Sequence, residues 1–369
     1  MKNLNIIGFI LLIFCGGVAH AQQTGYVRID SIFNKLYDSG QFSGNVLIAA
    51  NGKPVYQKSF GLADIEKNVP NNPGTRFLLA SVSKQFTAMG IVMLKEAGKL
   101  NFDDQLSKFI PELPYKGITI RQVLNHTSGL PDYLPLFEQH WDKTKFATND
   151  DMLNMLIQYH PDLLFTPGQK YMYSNTGYAL LATVIERVSG LTFTNYMETK
   201  IFKPLGMNNT IIYTRRARPR SVDNYATGYQ YDDSLKQFVM PEQHPVWKQA
   251  LWEDGIYGED GVNSTIEDML IWDQAVYLHS FASEDDWRVI LSAGKVTDGN
   301  MDYGFGWHIV NRDGVGPSVY HTGGWPGFMA YNEQGLDRNY SIIILRNKFS
   351  QQVRVPYDLI RSIVCQGRK

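Results

Sequence analysis

The strongest pattern in the chain is a run with no polar side. In FLLASVSKQFTAMGIVMLKEAG, residues 77–98, every position from Phe86 to Leu94 is apolar or glycine except Thr87. Such a run predicts a helix buried all round and ended by Gly98. Helical spacing recurs in Val27–Tyr37, where Ile29, Ile32, Phe33 and Leu36 share a face, and in Val353–Cys365, where Val355, Leu359, Ile360 and Ile363 do. Tyr178–Ser189 and Ile266–Tyr277 are the clearest helices of the middle. Strand patterns occupy the ends. Gly44–Ala50 and Val55–Phe60 flank Asn51-Gly52, a hairpin signal. Phe305–Val310, Ser318–Thr322, Gly327–Tyr331 and Ser341–Leu345 are short β runs between glycine-rich turns.

Strand-rich ends around a helical middle predict an α/β (α+β) domain built from both termini, about 22–80 and 295–369, with a mainly helical region, about 81–294, inserted between them. The polar segment Tyr213–Gly261, rich in Tyr, Asp and Gln, is too long for a plain connection and reads as functional or as a small subdomain. No internal repeat or low-complexity tract is present.

Composition adds bounds. The 369 residues are 44% hydrophobic and 13% aromatic, which suits a packed globular protein. A formal charge of −1 gives no reason to expect nucleic acid or an anionic membrane as partner. Residues 1–21 stand apart: Lys2, an apolar Ile6–Val18 run and Ala19-His20-Ala21 predict a cleavable signal peptide, hence a periplasmic or secreted protein with no stable membrane span. Cleavage removes Cys15 and leaves Cys365, so no intramolecular disulfide is expected.

Three clusters can carry chemistry. Ser81 and Lys84 lie i,i+3 at the start of the apolar helix, on one face. A lysine there loses hydration and faces the positive end of the helix dipole, a placement costly for folding and useful for activating a nucleophile. The N–H groups around Ser81 also suit a developing oxyanion. The bare spacing is weak, since Ser292-Ala-Gly-Lys295 repeats it, and a solvated first turn explains it equally. Tyr173-Ser174-Asn175 precedes another apolar helix; it reads as a proton-relaying phenol with an amide, or as an N-capped turn. His321-Thr322-Gly323-Gly324 is a strand-to-turn segment whose small residues let a substrate backbone lie alongside, or simply an edge strand with a glycine turn. There is no Gly-x-Ser-x-Gly elbow, no phosphate loop, no dinucleotide fingerprint and no His pair at zinc-binding spacing.

Taken in order, Ser81-x-x-Lys84, Tyr173-x-Asn175 and His321-Thr322-Gly323 resemble the penicillin-recognising serine hydrolases, most nearly the class C β-lactamase-like branch. LNHTSGLPDY (124–133), TPGQKYMYSN (166–175), GEDGVNSTIEDMLIWDQAV (258–276) and YGFGWHIV (303–310) are similar to segments of the same branch. The resemblance spans about residues 28–365. It implies a β-lactamase/transpeptidase-like fold, an antiparallel sheet flanked by helices with the site between sheet and helical region. It also implies an acyl-serine mechanism without metal or organic cofactor. Ser81 would attack a carbonyl, and Lys84 with Tyr173 would move the proton. Asn175 would hold Lys84 and a substrate amide. The N–H groups of Ser81 and Gly324 would form the oxyanion hole, and Tyr173 would help water release the acyl group. His321 departs from the lysine usual in class C β-lactamases; members with histidine there include D-aminopeptidase-like and esterase-like enzymes. The expectation is a hydrolase of a small-molecule, peptide, amide or ester substrate, including peptidoglycan fragments, that turns over β-lactams poorly. The alternatives are a true β-lactamase or a catalytically weak binder of penicillin or cell-wall peptides.

Overall fold

The computed structural model describes residues 25–213, 222–247, 249–299 and 301–365. The expected leader at 1–21 and the Arg215–Arg220 cluster lie outside the described residues. Helix α1 covers residues 25–38. Strands β1 (Gly44–Ala50) and β2 (Lys53–Phe60) follow, joined by Asn51 and Gly52 at φ 52° and 71°, the two left-handed residues that a tight hairpin turn requires. Near the C-terminus come β3 (His308–Arg312), β4 (Gly316–Trp325), β5 (Phe328–Gly335) and β6 (Tyr340–Arg346). The six form one sheet in the order β3-β4-β5-β6-β1-β2, antiparallel throughout. The two ends of the chain therefore meet in the centre, where β1 pairs with β6.

Side-chain alternation gives each face of the sheet its own core. On β6, Ile343 and Leu345 join the large cluster of the helical side, whereas Ile342 and Ile344 join a smaller one with Phe33 of α1 and Ile360. Ile360 belongs to the last helix, Tyr357–Cys365. The large cluster contains helices α2 (Lys84–Glu96), α3 (Asn175–Ser189) and α4 (Ile266–Tyr277). We call the last helix α5. Short strands also run through the middle of the chain: Phe77–Leu78 and Ile211–Ile212 both pair with Val262–Ser264.

The apolar helix is as buried as its pattern requires, with Lys84 through Val92 and Leu94 all enclosed. It does not begin at Phe77. Ala80 has φ +46°, a left-handed conformation that breaks the helix, and a 3-10 turn over Ala80–Ser83 precedes α2. The polar residues inside α2 have defined acceptors or donors. Thr87 donates to Gly258 O (2.7 Å); Gln85 accepts from Trp272 (2.8 Å) and donates to Asn332 of β5 (3.1 Å). These bonds satisfy groups that would otherwise be costly inside an apolar core.

The back face of the sheet is tied to α5 by a buried ion pair. Arg361 donates from Nε and Nη2 to both oxygens of Glu333, at 2.6 Å each, and Tyr340 donates to the same carboxylate at 2.7 Å. Burial alone raises the Glu333 pKa, but the hydrogen bonds of Arg361 and Tyr331 and the guanidinium charge outweigh it and hold the carboxyl below its usual value. Its contribution to stability is thus present above the unfolded-state pKa, about 4.3, and is lost as pH falls through the lower folded value. Replacing Arg361 with Ala leaves that carboxylate buried with only the more distant Arg312, at 3.4 Å, beside it. Urea unfolding at pH 7 is expected to show a loss of roughly 3–5 kcal/mol; a loss below about 1 kcal/mol would mean that the pair does not hold α5 to the sheet.

Candidate active site

The left-handed Ala80 turns the chain sharply, so that Ser81 stands where the 3-10 turn meets β4. β4 reaches it through Gly323. A Cβ at that glycine would lie 2.0 Å from Leu79 O and 3.2 Å from Ser81 N, so only glycine allows the strand this close. β3 covers β4 only as far as the His308–Tyr320 pair. Beyond it, among the described residues, residues 321–325 pair on one side alone, with β5. That half of β4 is thus an open edge beside Ser81, although the strand is internal to the sheet. Thr322 and Gly324 are exposed and Gly323 is buried.

Lys84 is fully buried, and its Nζ is surrounded by oxygens. It lies 3.1 Å from Ser81 Oγ, 2.9 Å from Asn175 Oδ1 and 2.9 Å from the carbonyl oxygen of Glu259. The amide and carbonyl oxygens can only accept, so they take two N–H bonds. The third position faces a hydroxyl, which can donate as well as accept. As a neutral amine, Lys84 would therefore aim its lone pair at the Ser81 proton.

Asn175 is placed by a cap. Ser174 Oγ accepts from Gly177 N (3.2 Å), which makes Ser174 the N-cap of α3 and Asn175 its first residue, with its side chain turned toward Lys84. Tyr173, just outside that cap, puts its ring centroid 4.8 Å from Lys84 Nζ and 4.3 Å from the ring of His126. Among the described residues its hydroxyl makes no hydrogen bond, and the residue is 36% exposed. His321 sits behind it. Its Nδ1 lies 2.6 Å from Thr322 O, which can only accept, so that nitrogen carries the proton and Nε2 accepts from the Tyr303 hydroxyl at 2.9 Å. Burial, followed by the charges of Lys84 and His308, pushes its pKa well below the ordinary histidine value. His321 is neutral at pH 7.

The structure thus brings Ser81, Lys84, Tyr173, Asn175, His321, Gly323 and Gly324 to one place. It also adds groups to which sequence reasoning assigned no role. The Glu259 carbonyl is presented by a loop bent at Gly258, φ +99°, whose Cβ would meet Tyr178 O at 2.4 Å. Tyr133 Oη lies 2.6 Å from Glu253 Oε1 and also bonds Glu259. One phenol proton thus faces two carboxyls. Burial pushes both carboxyls up; the Glu259 charge adds to the rise at Glu253, while Lys84 restrains Glu259. His126, buried at φ +60°, accepts the Ser174 N–H at Nδ1 (3.1 Å) and so buttresses the Tyr173–Asn175 turn. The glycines of GEDG and the histidine of LNHTSGL were the only signals of these roles in the chain. A cavity of about 190 Å³ joins Ser81, Asn175, Glu253, Glu259, Gly324 and Trp325.

Known proteins match this chain over nearly its whole length. The Beta-lactamase family model matches residues 29–364. Penicillin-binding protein 4* of Bacillus subtilis is 40% identical over 322 residues, covering 87% of this chain and 71% of the relative. Protein flp of Staphylococcus aureus strain MRSA252 is 27% identical over 341 residues, and the match takes in 64% of that protein's length. The crystal structure of a penicillin binding protein from Bacillus halodurans superimposes with a TM-score of 0.76 at 28% identity, covering 89% of this chain and 97% of that one. A D-amino acid amidase from Ochrobactrum anthropi SV3, complexed with D-phenylalanine, shares the fold at a TM-score of 0.75 and 19% identity, over 94% and 99% of the two chains. The chain belongs to the β-lactamase family, the serine-hydrolase superfamily that includes the penicillin-binding proteins.

Proposed function

We propose that this chain is an exported hydrolase, periplasmic or secreted, that cleaves amide, peptide or ester bonds through an acyl-serine intermediate. Its substrates include D-amino-acid peptides of the kind found in cell walls. The observation that carries the reading is the buried Lys84 Nζ, 3.1 Å from Ser81 Oγ with its other two contacts on pure acceptors. Ser81 Oγ bonds to the substrate carbonyl carbon and gives its proton to Lys84. The carbonyl becomes an oxyanion facing the N–H groups of Ser81 and Gly324. As the bond to the leaving nitrogen or oxygen breaks, the proton passes from Lys84 through the Tyr173 hydroxyl to that atom. Water, deprotonated along the same route, then attacks the ester and frees Ser81. Asn175 fixes Lys84 and offers its amide N–H to the substrate. The exposed edge at Thr322–Gly324 lets an extended substrate lie beside β4.

Specificity follows from charge. His321 stands where a class C β-lactamase has lysine, and it is neutral, with both ring nitrogens engaged. The cavity beside Ser81 is lined by Glu253, Glu259 and Asp260. This side of the cleft favours a neutral or amino-bearing group over a carboxylate. D-Amino-acid amides and esters fit that rule better than β-lactams or free C-terminal carboxylates.

Against a panel of p-nitrophenyl esters and D-amino-acid amides, Ser81→Ala should lose on the order of 10⁴-fold or more in kcat. Lys84→Met should lose about 10²–10⁴-fold, the range of a general base. Wild-type turnover in Ser81→Ala would end the acyl-serine reading. Gly323→Ala should keep its fold by circular dichroism yet lose about 10²-fold in kcat/KM, because β4 must shift away from Ser81; unchanged kinetics would show that the close approach is dispensable. His321→Lys should raise kcat/KM for an N-acyl-D-Ala-D-Ala carboxylate relative to D-alanine p-nitroanilide by roughly tenfold, one pK unit's worth of energy. An unchanged ratio would show that the charge at this position does not set specificity.

A further inference from the structure

The back face of the sheet holds a second charged cavity, remote in chemistry from the first. β6 ends in Arg346, only 3% exposed. It lies on the back face by the alternation that puts Ile342 and Ile344 there, and the ring of Phe42 covers its guanidinium at 5.7 Å. Among the described residues its Nε and Nη2 are wholly enclosed without a hydrogen-bond partner. The buried carboxylate of the same face, Glu333, is paired with Arg361 and Arg312. Arg346 lines a cavity of about 460 Å³ together with Ser350, Gln351, Arg354 and Tyr357, and no carboxylate lines it. The Ser350 hydroxyl accepts from Gln352 N (3.2 Å) and keeps its own proton to give.

An arginine stays charged when buried, and a buried charge without a counter-charge is costly. Nε and Nη2 are sealed from the cavity, so Arg346 acts on an anion there through its charge. We propose that this cavity is a binding site for a small oxyanion, a carboxylate or phosphate group, drawn by the charge of Arg346 and bonded by the Ser350 hydroxyl and Arg354, which line it with Arg346. Register places Arg346 opposite Met329, which itself pairs with Gly324, so the anion would sit in the cross-strand row that ends at the candidate oxyanion strand, on the opposite face from Ser81. The inference does not rest on the catalytic reading.

The test is thermal unfolding of the full chain in sodium phosphate and, separately, sodium acetate, with ionic strength matched by sodium chloride. The wild type is expected to gain several degrees in Tm, saturably, with one or both anions over the chloride control. A response to phosphate alone identifies a phosphate site; a response to acetate identifies a carboxylate site. Arg346→Met should abolish the response, and Ser350→Ala and Arg354→Ala should each weaken the apparent affinity about tenfold. A wild-type Tm that follows chloride alone overturns the proposal, as does an undiminished response in Arg346→Met. If Arg346→Met does not fold, undiminished responses in both Ser350→Ala and Arg354→Ala overturn it instead.

Discussion

The structure turns on one buried amino group. Lys84 Nζ sits between a hydroxyl, an amide oxygen and a carbonyl oxygen, each from a different part of the chain. Such a group is tolerable in a protein interior only when fully hydrogen-bonded. The elements around it are arranged to meet that demand. The 3-10 turn supplies Ser81, the capped start of α3 supplies Asn175, and the loop bent at Gly258 supplies the Glu259 carbonyl. The same constraint that lets Lys84 be buried sets it against the one partner able to give up a proton.

Local strain sits beside this group. Ala80 at φ +46° and His126 at φ +60° are non-glycine residues in a left-handed conformation, and each adjoins a motif of the site. Such residues persist where surrounding packing over-determines them. Ala80 is held by Leu79 N bonding Val262 O at 2.9 Å and by β4 closing over Leu79 through Gly323. His126 is held by the rings of Tyr173, Tyr178 and Tyr303. Burial pushes the carboxyls of Glu253, Glu259 and Asp260 up, which lowers the negative charge facing the cavity.

Much of this was legible in the sequence because it depends on local rules. The Asn51-Gly52 turn, the apolar helix and the alternating strands follow from backbone and periodicity alone. The three motifs were legible as an ordered set, since each one singly has an ordinary structural explanation. What could not be read are contacts between backbone and distant side chains. A carbonyl such as that of Glu259 has no sequence signature. The Tyr133–Glu253–Glu259 cluster joins residues 120 and 126 positions apart in the chain. The start of α2 was misplaced because nothing in LLASV announces a left-handed alanine; tertiary packing against β4 and Val262 imposes it.

The most direct test of the account is the site of covalent capture. Incubation with a fluorophosphonate, followed by intact mass and peptide mapping, should give one adduct per chain, located on Ser81, and the rate of capture should fall at least tenfold in Lys84→Met. An adduct at another residue, no adduct, or a rate indifferent to Lys84 would contradict the claim that the buried amine activates Ser81.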